Sequence, residues 1–100
     1  MKITLPPSPD ALSKEAAAIW TRIVTGWQLD DSGLLILASA LESFDLMRKA
    51  QAILVREGIQ VKDRFDQIKQ HPAVTTERDA RAAYLRALKA LHLDFSSKER

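Results

Sequence analysis

Apolar residues recur at three- and four-residue spacing in three stretches of the chain, which is the spacing of amphipathic helices. The first stretch runs from Lys14 to about Trp27 and follows Ser13, a residue type that favours the N-cap position. The pattern predicts a short helix whose apolar face holds Ala17, Trp20, Ile23, Val24 and Trp27.

The second stretch, from about Ser32 to Glu57, lacks proline and predicts one long helix with Gly58 as its C-cap. Apolar residues in its first half point in nearly every direction, so a single apolar stripe cannot contain them. We therefore expect this helix to pack against two partners. The residues concerned are Leu34, Leu35, Ile36, Leu37, Ala38, Ala40 and Leu41.

A short β-hairpin is expected next, because residues 59–62 and 67–70 alternate around a turn-like segment at 63–66. After His71-Pro72, Thr76 and Asp79 resemble a capping box for a third helix that runs to about Leu91. One face of that helix is apolar and the opposite face is basic. The apolar face holds Ala80, Tyr84, Ala87, Leu88 and Leu91.

These elements predict a mainly α protein with a short, a long and a medium helix, and a small β-hairpin between the second and third. The proline-rich start predicts an extended arm over residues 1–12, since proline is excluded from helix interiors. We expect a single helical domain over 13–93 and a tail over 94–100. A domain of this length buries only roughly two thirds of its unfolded surface, so oligomerisation is expected to add burial.

Composition narrows the cellular setting. The chain has 46% hydrophobic residues and no cysteine, which fits a globular protein in a reducing compartment and predicts a cytoplasmic location. Residues 1–10 lack the apolar run of a signal peptide. The longest apolar run, Leu34 to Ala38, is far shorter than the about 18 residues of a membrane span, so we expect no membrane partner.

No set of residues suggests chemistry. The glycines are isolated from one another, so no phosphate-binding loop is expected. The only histidines, His71 and His92, lie beside a proline and at a helix end, which predicts no metal site. Serines at caps and carboxylates in turns favour structural roles over nucleophilic or acid–base catalysis. The sequence therefore predicts a binding protein with no enzyme activity and no cofactor.

The net charge is only +2, but the positive excess lies in the last two fifths of the chain. There, seven cations could contact a phosphate backbone. Acidic neighbours dilute their potential, so a merely solvated face is the alternative. The cations are Lys62, Arg64, Lys69, Arg78, Arg81, Arg86 and Lys89.

Trp20 and Trp27 lie on one helical face, and large aromatics in such a position are typical of core or interface anchors. We favour that role over stacking on nucleic-acid bases.

In order along the chain, these features resemble the small subunit of the tailed-phage terminase, as found in temperate phages. The family usually ends its last helix with a Leu-Gly-Leu-Thr-Pro-Ser-Ser-Arg-like stretch, where this chain has His92 for glycine, Asp94-Phe95 for Thr-Pro and Lys98 for arginine. The matching features are Leu5-Pro6-Pro7, Ala18-x-Trp20, Leu29 and Asp31, Glu57-Gly58-Ile59, His71-Pro72 and the segment from Leu91 to Arg100.

The resemblance implies a non-catalytic packaging factor, a homo-oligomeric ring that recognises double-stranded viral DNA. It also implies a large terminase subunit as partner, which holds the ATPase and nuclease. A ring would multiply the charge of +2 into a basic collar. The surplus apolar faces would then lie between subunits, with Trp20, Leu34, Leu35, Ile36 and Leu41 as candidate interface residues.

Two other functions stay open at this stage. Lys14, Arg22, Arg48 and Lys49 could form a helix-turn-helix-like surface, as in a small dimeric repressor. The apolar start of the second helix argues against that, since a recognition helix exposes polar residues in its first turns. An adaptor or antitoxin without a nucleic-acid role is the other possibility.

Overall fold

The computed structural model describes residues 4–93. Three helices and a two-stranded antiparallel hairpin between the second and third confirm the predicted fold class. The elements are α1 (Lys14–Gly26), α2 (Asp31–Glu57), β1 (Gln60–Lys62), β2 (Ile68–Gln70) and α3 (Pro72–Ala90). The predicted tail, 94–100, lies outside the described residues.

Side-chain caps fix the starts of α1 and α2. Ser13 Oγ accepts a hydrogen bond from the Ala16 amide at 3.0 Å, and Asp30 Oδ1 accepts one from the Gly33 amide at 2.8 Å. Both bonds satisfy amides that a helix leaves unpaired in its first turn. The hydroxyl and amide of Ser13 also donate to the two carboxylate oxygens of Asp45, which ties the start of α1 to the middle of α2.

Gly58 ends α2 with φ +83° and ψ 170°, a backbone conformation that is essentially restricted to glycine. Its amide donates to the Leu54 carbonyl at 2.8 Å. The chain then enters the hairpin, in which Gln60 pairs with Gln70, Val61 with Lys69 and Lys62 with Ile68.

The third helix begins earlier than the sequence predicted. Its first residue is Pro72, and His71 is the N-cap, with Nδ1 accepting from the Ala73 amide at 3.0 Å. Proline suits this position because its missing N–H would have no partner in the first turn. The predicted capping box at Thr76 and Asp79 is therefore wrong: Thr76 lies inside the helix and donates to the Pro72 carbonyl at 3.4 Å.

The core lies at the end of the molecule away from the hairpin. There α1 and the second half of α3 both pack on the first half of α2, so the prediction of two partners for α2 is confirmed. The cluster contains Trp20, Ile23 and Val24 of α1, Leu37, Leu41, Phe44 and Met47 of α2, and Ala80 of α3, with Tyr84, Leu88 and Leu91 against it.

The second half of α2 and the first half of α3 extend beyond this core as an antiparallel pair. The Cα radius of gyration is 17.2 Å, against roughly 13 Å for a compact domain of this length. The principal extents of 65 × 24 × 21 Å show an elongated shape. A helix of 27 residues alone spans about 40 Å, and the hairpin extends its far end.

The residues before α1 form no helix or strand from 4 to 12. Trp20 Nε1 donates to the Pro6 carbonyl at 2.9 Å, which holds this segment against α1. Between residues 4 and 93, no helix is long and apolar enough to cross a membrane.

Candidate nucleic-acid interface

The seven cations predicted to contact DNA are all exposed, and they lie on two successive surfaces. The hairpin leads directly into α3, so the two surfaces follow each other along the long axis. We call Lys62, Arg64 and Lys69 the hairpin cations, and Arg78, Arg81, Arg86 and Lys89 the α3 cations.

The two lysines of the hairpin lie beside carboxylates. Lys62 Nζ is 3.4 Å from Asp66 Oδ1, and Lys69 Nζ is 3.4 Å from Asp63 Oδ2. Arg64 instead places its guanidinium carbon 5.1 Å from the centre of the Phe65 ring. Both lysines are exposed, and surface ion pairs contribute little to stability, so the lysines can exchange their partners for phosphates at small cost.

Asp63 organises the turn between the strands. Its Oδ1 accepts from the amides of Phe65 at 2.8 Å and Gln67 at 3.0 Å. The bond from the Gln67 amide, followed by those from Phe65 and Lys69, lowers the pKa of the Asp63 carboxyl below its ordinary value. The turn is therefore held by a charged acceptor at neutral pH, and it presents Arg64 and Phe65 at its apex.

The α3 cations differ in how free they are. Arg81 makes two hydrogen bonds to Glu77, at 2.8 and 3.2 Å, and Glu77 also accepts from Gln51 of α2 at 3.0 Å. The bond to Arg81, followed by that from Gln51, lowers the pKa of the Glu77 carboxyl. The same contact with Glu77 raises the pKa of Arg81.

Arg78 Nε lies 3.3 Å from the neighbouring Asp79. In the described part of the chain, Arg86 and Lys89 form no ion pair. From the sequence, the α3 cations could not be distinguished. In the structure, Glu77 neutralises the charge of Arg81, whereas Arg86 and Lys89, nearer the end of the helix, have no acidic partner among the described residues.

The alternative basic surface on the first two helices is partly occupied by internal contacts. Arg48 Nη2 lies 3.1 Å from Glu15 of α1, Nη1 donates to Gln51 at 2.8 Å, and the guanidinium carbon is 5.1 Å from the Phe44 ring centre. Arg48 thus joins α1 to α2. Lys14, Arg22 and Lys49 are exposed.

The residues predicted for the oligomer interface do not share one surface. Trp20 is 4% exposed and Leu41 is 0% exposed, so both belong to the core of the chain itself and offer no surface to a neighbour. Leu34 and Ile36 are half-buried. Leu35 is 73% exposed, so of this set it presents the largest exposed fraction for contact with another subunit.

Phe65 and Leu85 are exposed apolar residues that lie among the cations, and the sequence reasoning missed both. Phe65 is at the hairpin apex, and Leu85 lies one helical turn from both Arg81 and Lys89. Phe65 could have been found from its position in the turn-like segment 63–66, because a hairpin cannot cover its own apex. Leu85 carries no comparable signal, since a single leucine on a polar helix face is ordinary.

Within residues 4–93, no group of three or more histidines or carboxylates lies close enough to hold a metal ion. His71 is occupied by helix capping and by Glu57, whose Oε1 is 2.8 Å from His71 Nε2. His92 is exposed at the end of α3, with φ +54°.

Comparison with protein families gave a match over most of the chain. The family described as phage terminase, small subunit, matches residues 16–100, which include all three helices except the first two residues of α1. Searches of curated proteins and of solved structures gave no significant match.

Proposed function

The chain belongs to the phage terminase small-subunit family, and we propose that it assembles into a ring, binds viral DNA and recruits or regulates the large terminase subunit. The family has a role in phage DNA packaging, and its small subunits are generally not catalytic. The proposal places this chain in the host cytoplasm, where DNA would be presented to the large subunit. The family match over residues 16–100 is the observation that carries the proposal.

The exposed cations support DNA binding. The α3 cations Arg86 and Lys89 and the hairpin cations face solvent, where phosphates can reach them. A net charge of +2 per chain is small, but a ring multiplies it over every subunit. We expect phosphate contacts from these groups and a smaller contribution from Arg81, whose charge Glu77 already neutralises.

Exposed apolar residues on the helices support self-association. Leu35 and Leu46 of α2 and Leu85 of α3 are exposed, and none of them belongs to the core cluster. The elongated shape leaves a small core for the length of the chain, so burial between subunits would add stability. In the proposed ring, Leu35 contacts a neighbouring subunit.

Family membership suggests separate roles for the large and small terminase subunits. We propose that the large subunit supplies ATP hydrolysis and DNA cleavage, while this chain supplies assembly and DNA contact. His71, Asp63 and Glu77 serve in a helix cap, a turn and an ion pair respectively, which is consistent with a binding role.

Native mass spectrometry with and without duplex DNA tests assembly and DNA binding together. We expect one closed species of several subunits, and a second species in which that assembly carries DNA. A stable monomer at micromolar concentration would contradict the ring. A dimer that binds only a palindromic site would indicate a repressor instead, and an assembly that ignores DNA would indicate an adaptor.

Salt dependence identifies the DNA-binding cations. Replacing both Arg86 and Lys89 with alanine should weaken binding and reduce the slope of log affinity against log salt by about 1 for each phosphate that these side chains neutralise. Arg81→Ala is the matched control on the same helix face, and we expect it to change the slope less. An unchanged slope after the double replacement would exclude Arg86 and Lys89 from phosphate contact.

A further inference from the structure

We infer that the hairpin apex is a base-stacking site, in which Phe65 stacks on a nucleobase of bound DNA while Arg64 and the flanking lysines contact adjacent phosphates. This inference rests on the proposed DNA binding and adds a site to it. The ligand is the flat face of a nucleobase, from either of two sources: a duplex step opened by the hairpin, or a single-stranded segment.

The position of Phe65 makes its ring accessible. The hairpin lies at the end of the molecule away from the core, and Phe65 is 68% exposed at its apex. An aromatic ring buries a large area when it finds a partner, so its exposure at the end of a projecting ribbon indicates a surface that contacts something else. The strands on either side are too short to fold over it, with three residues each.

The turn holds the ring in a defined place before any ligand arrives. Besides the two bonds that Asp63 Oδ1 accepts, the Asp66 amide donates to the Asp63 carbonyl at 3.0 Å and the Asp63 amide donates to the Gln67 carbonyl at 2.9 Å. A side chain on a preformed turn loses less conformational freedom on binding. Phe65 is therefore preorganised for contact.

The charged residues around Phe65 favour a nucleic-acid partner over a protein partner. Arg64 lies over the ring, and it forms no ion pair among the residues that the structure describes. Lys62 and Lys69 flank the turn in weak surface pairs. The three cations near the ring outnumber the two carboxylates there, Asp63 and Asp66. This positive excess matches a base beside its phosphates, because single strands are bound by aromatic platforms within basic grooves. An apolar pocket on a protein would leave those cations without partners.

The experiment is fluorescence anisotropy of labelled duplex and single-stranded DNA across a salt series, with the whole chain and with Phe65→Ala. We expect Phe65→Ala to lower affinity roughly 5- to 150-fold, the effect of losing one stacked base. The slope against salt should stay unchanged, because stacking releases no counterions. Phe65→Trp should retain binding, and Phe65→Leu should not.

Ile68→Ala is the matched control, because Ile68 is 64% exposed on the same hairpin and is apolar without a π-face. We expect it to bind DNA as the wild type does. Comparison of the two DNA forms identifies the source of the base. A 2-aminopurine probe in the duplex should brighten on binding if the hairpin opens a step, whereas a loss confined to the single strand would identify a single-stranded ligand.

Three results would overturn the inference. If the wild type binds DNA and Phe65→Ala binds equally well in both forms, the stacking site is excluded while the proposed function stands. If the wild type binds no DNA, the proposed DNA binding fails as well. If Phe65→Ala changes the number of subunits in the absence of DNA, the Phe65 side chain contacts another copy of the chain instead.

Discussion

Glu57 and His71 lie 2.8 Å apart, Oε1 to Nε2, and join the last residue of α2 to the N-cap of α3. The other ring nitrogen of His71, Nδ1, accepts from the Ala73 amide at 3.0 Å. Since an accepting nitrogen carries no proton, the ring hydrogen belongs on Nε2 and is donated to Glu57. That bond, followed by one from Arg56, lowers the pKa of the Glu57 carboxyl. The His71 side chain therefore closes the base of the hairpin by contacting both helices.

His71→Ala should destabilise the chain by about 1 kcal/mol, the usual cost of removing a side-chain N-cap. His71→Asn is the matched variant, because asparagine keeps a capping oxygen but is too short to reproduce the contact with Glu57. We expect it to recover most of the loss. Urea denaturation followed by circular dichroism measures both, and equal destabilisation by the two variants would assign the effect to the Glu57 contact.

Acid should weaken the contact between α2 and α3 through Glu77. Its pKa is lowered in the folded chain from an ordinary value of 4.5, so folding favours the ionised carboxyl. The stabilisation is fully present above pH 4.5 and is lost as pH falls through the lowered folded value. Glu77→Gln should therefore unfold at lower urea than the wild type at pH 7.

The difference between these two proteins should shrink below pH 4.5. Urea midpoints at a series of pH values give the comparison. Asp31→Asn, at the exposed start of α2, serves as the control for removing a surface carboxylate. A constant difference between Glu77→Gln and the wild type across the whole pH range would show that the charge of Glu77 is not involved.

Two leucines of α2 should behave in opposite ways. Leu41→Ala removes a side chain that is 0% exposed and should cost about 2–5 kcal/mol of stability. Leu35→Ala removes one that is 73% exposed and should change the stability of the monomer by less than about 0.5 kcal/mol.

Leu35→Ala should instead weaken assembly, so its effect on stability should grow with protein concentration. Thermal unfolding at several concentrations, together with light scattering, separates these effects. A Leu35→Ala protein that assembles as the wild type does at every concentration would exclude Leu35 from the subunit contact.

Two glycines form a second matched pair. Gly58→Ala should destabilise by about 1–3 kcal/mol, because φ is +83° there and a Cβ is strained in that conformation. Gly26→Ala, at the end of α1, has open space around the added Cβ and should be neutral or stabilising by up to about 1 kcal/mol. Differential scanning calorimetry of both variants tests this. Equal losses would indicate that α1 needs its glycine for a reason beyond backbone conformation.

Much of the fold could be predicted from the sequence because its signals are local. Helix periodicity, the cap at Ser13, the glycine at Gly58 and the alternation on both sides of the hairpin turn each depend on residues close together in the chain. Family membership was also accessible, since the order of such features carries it. The basic outer face of α3 was predicted correctly from the same 100° periodicity.

Contacts between residues distant in the chain decided how the helices are joined and which side chains are buried. The contact of His71 with Glu57 joins residues fourteen positions apart and holds the N-cap of α3 against the end of α2. Leu35 and Leu41 are the same residue type in the first half of α2, and only the packing of α1 and α3 on α2 makes one exposed and the other buried. The sequence by itself determined the elements and their amphipathic faces. The tertiary structure decided which side chains those faces cover, because burial depends on which segments meet in space.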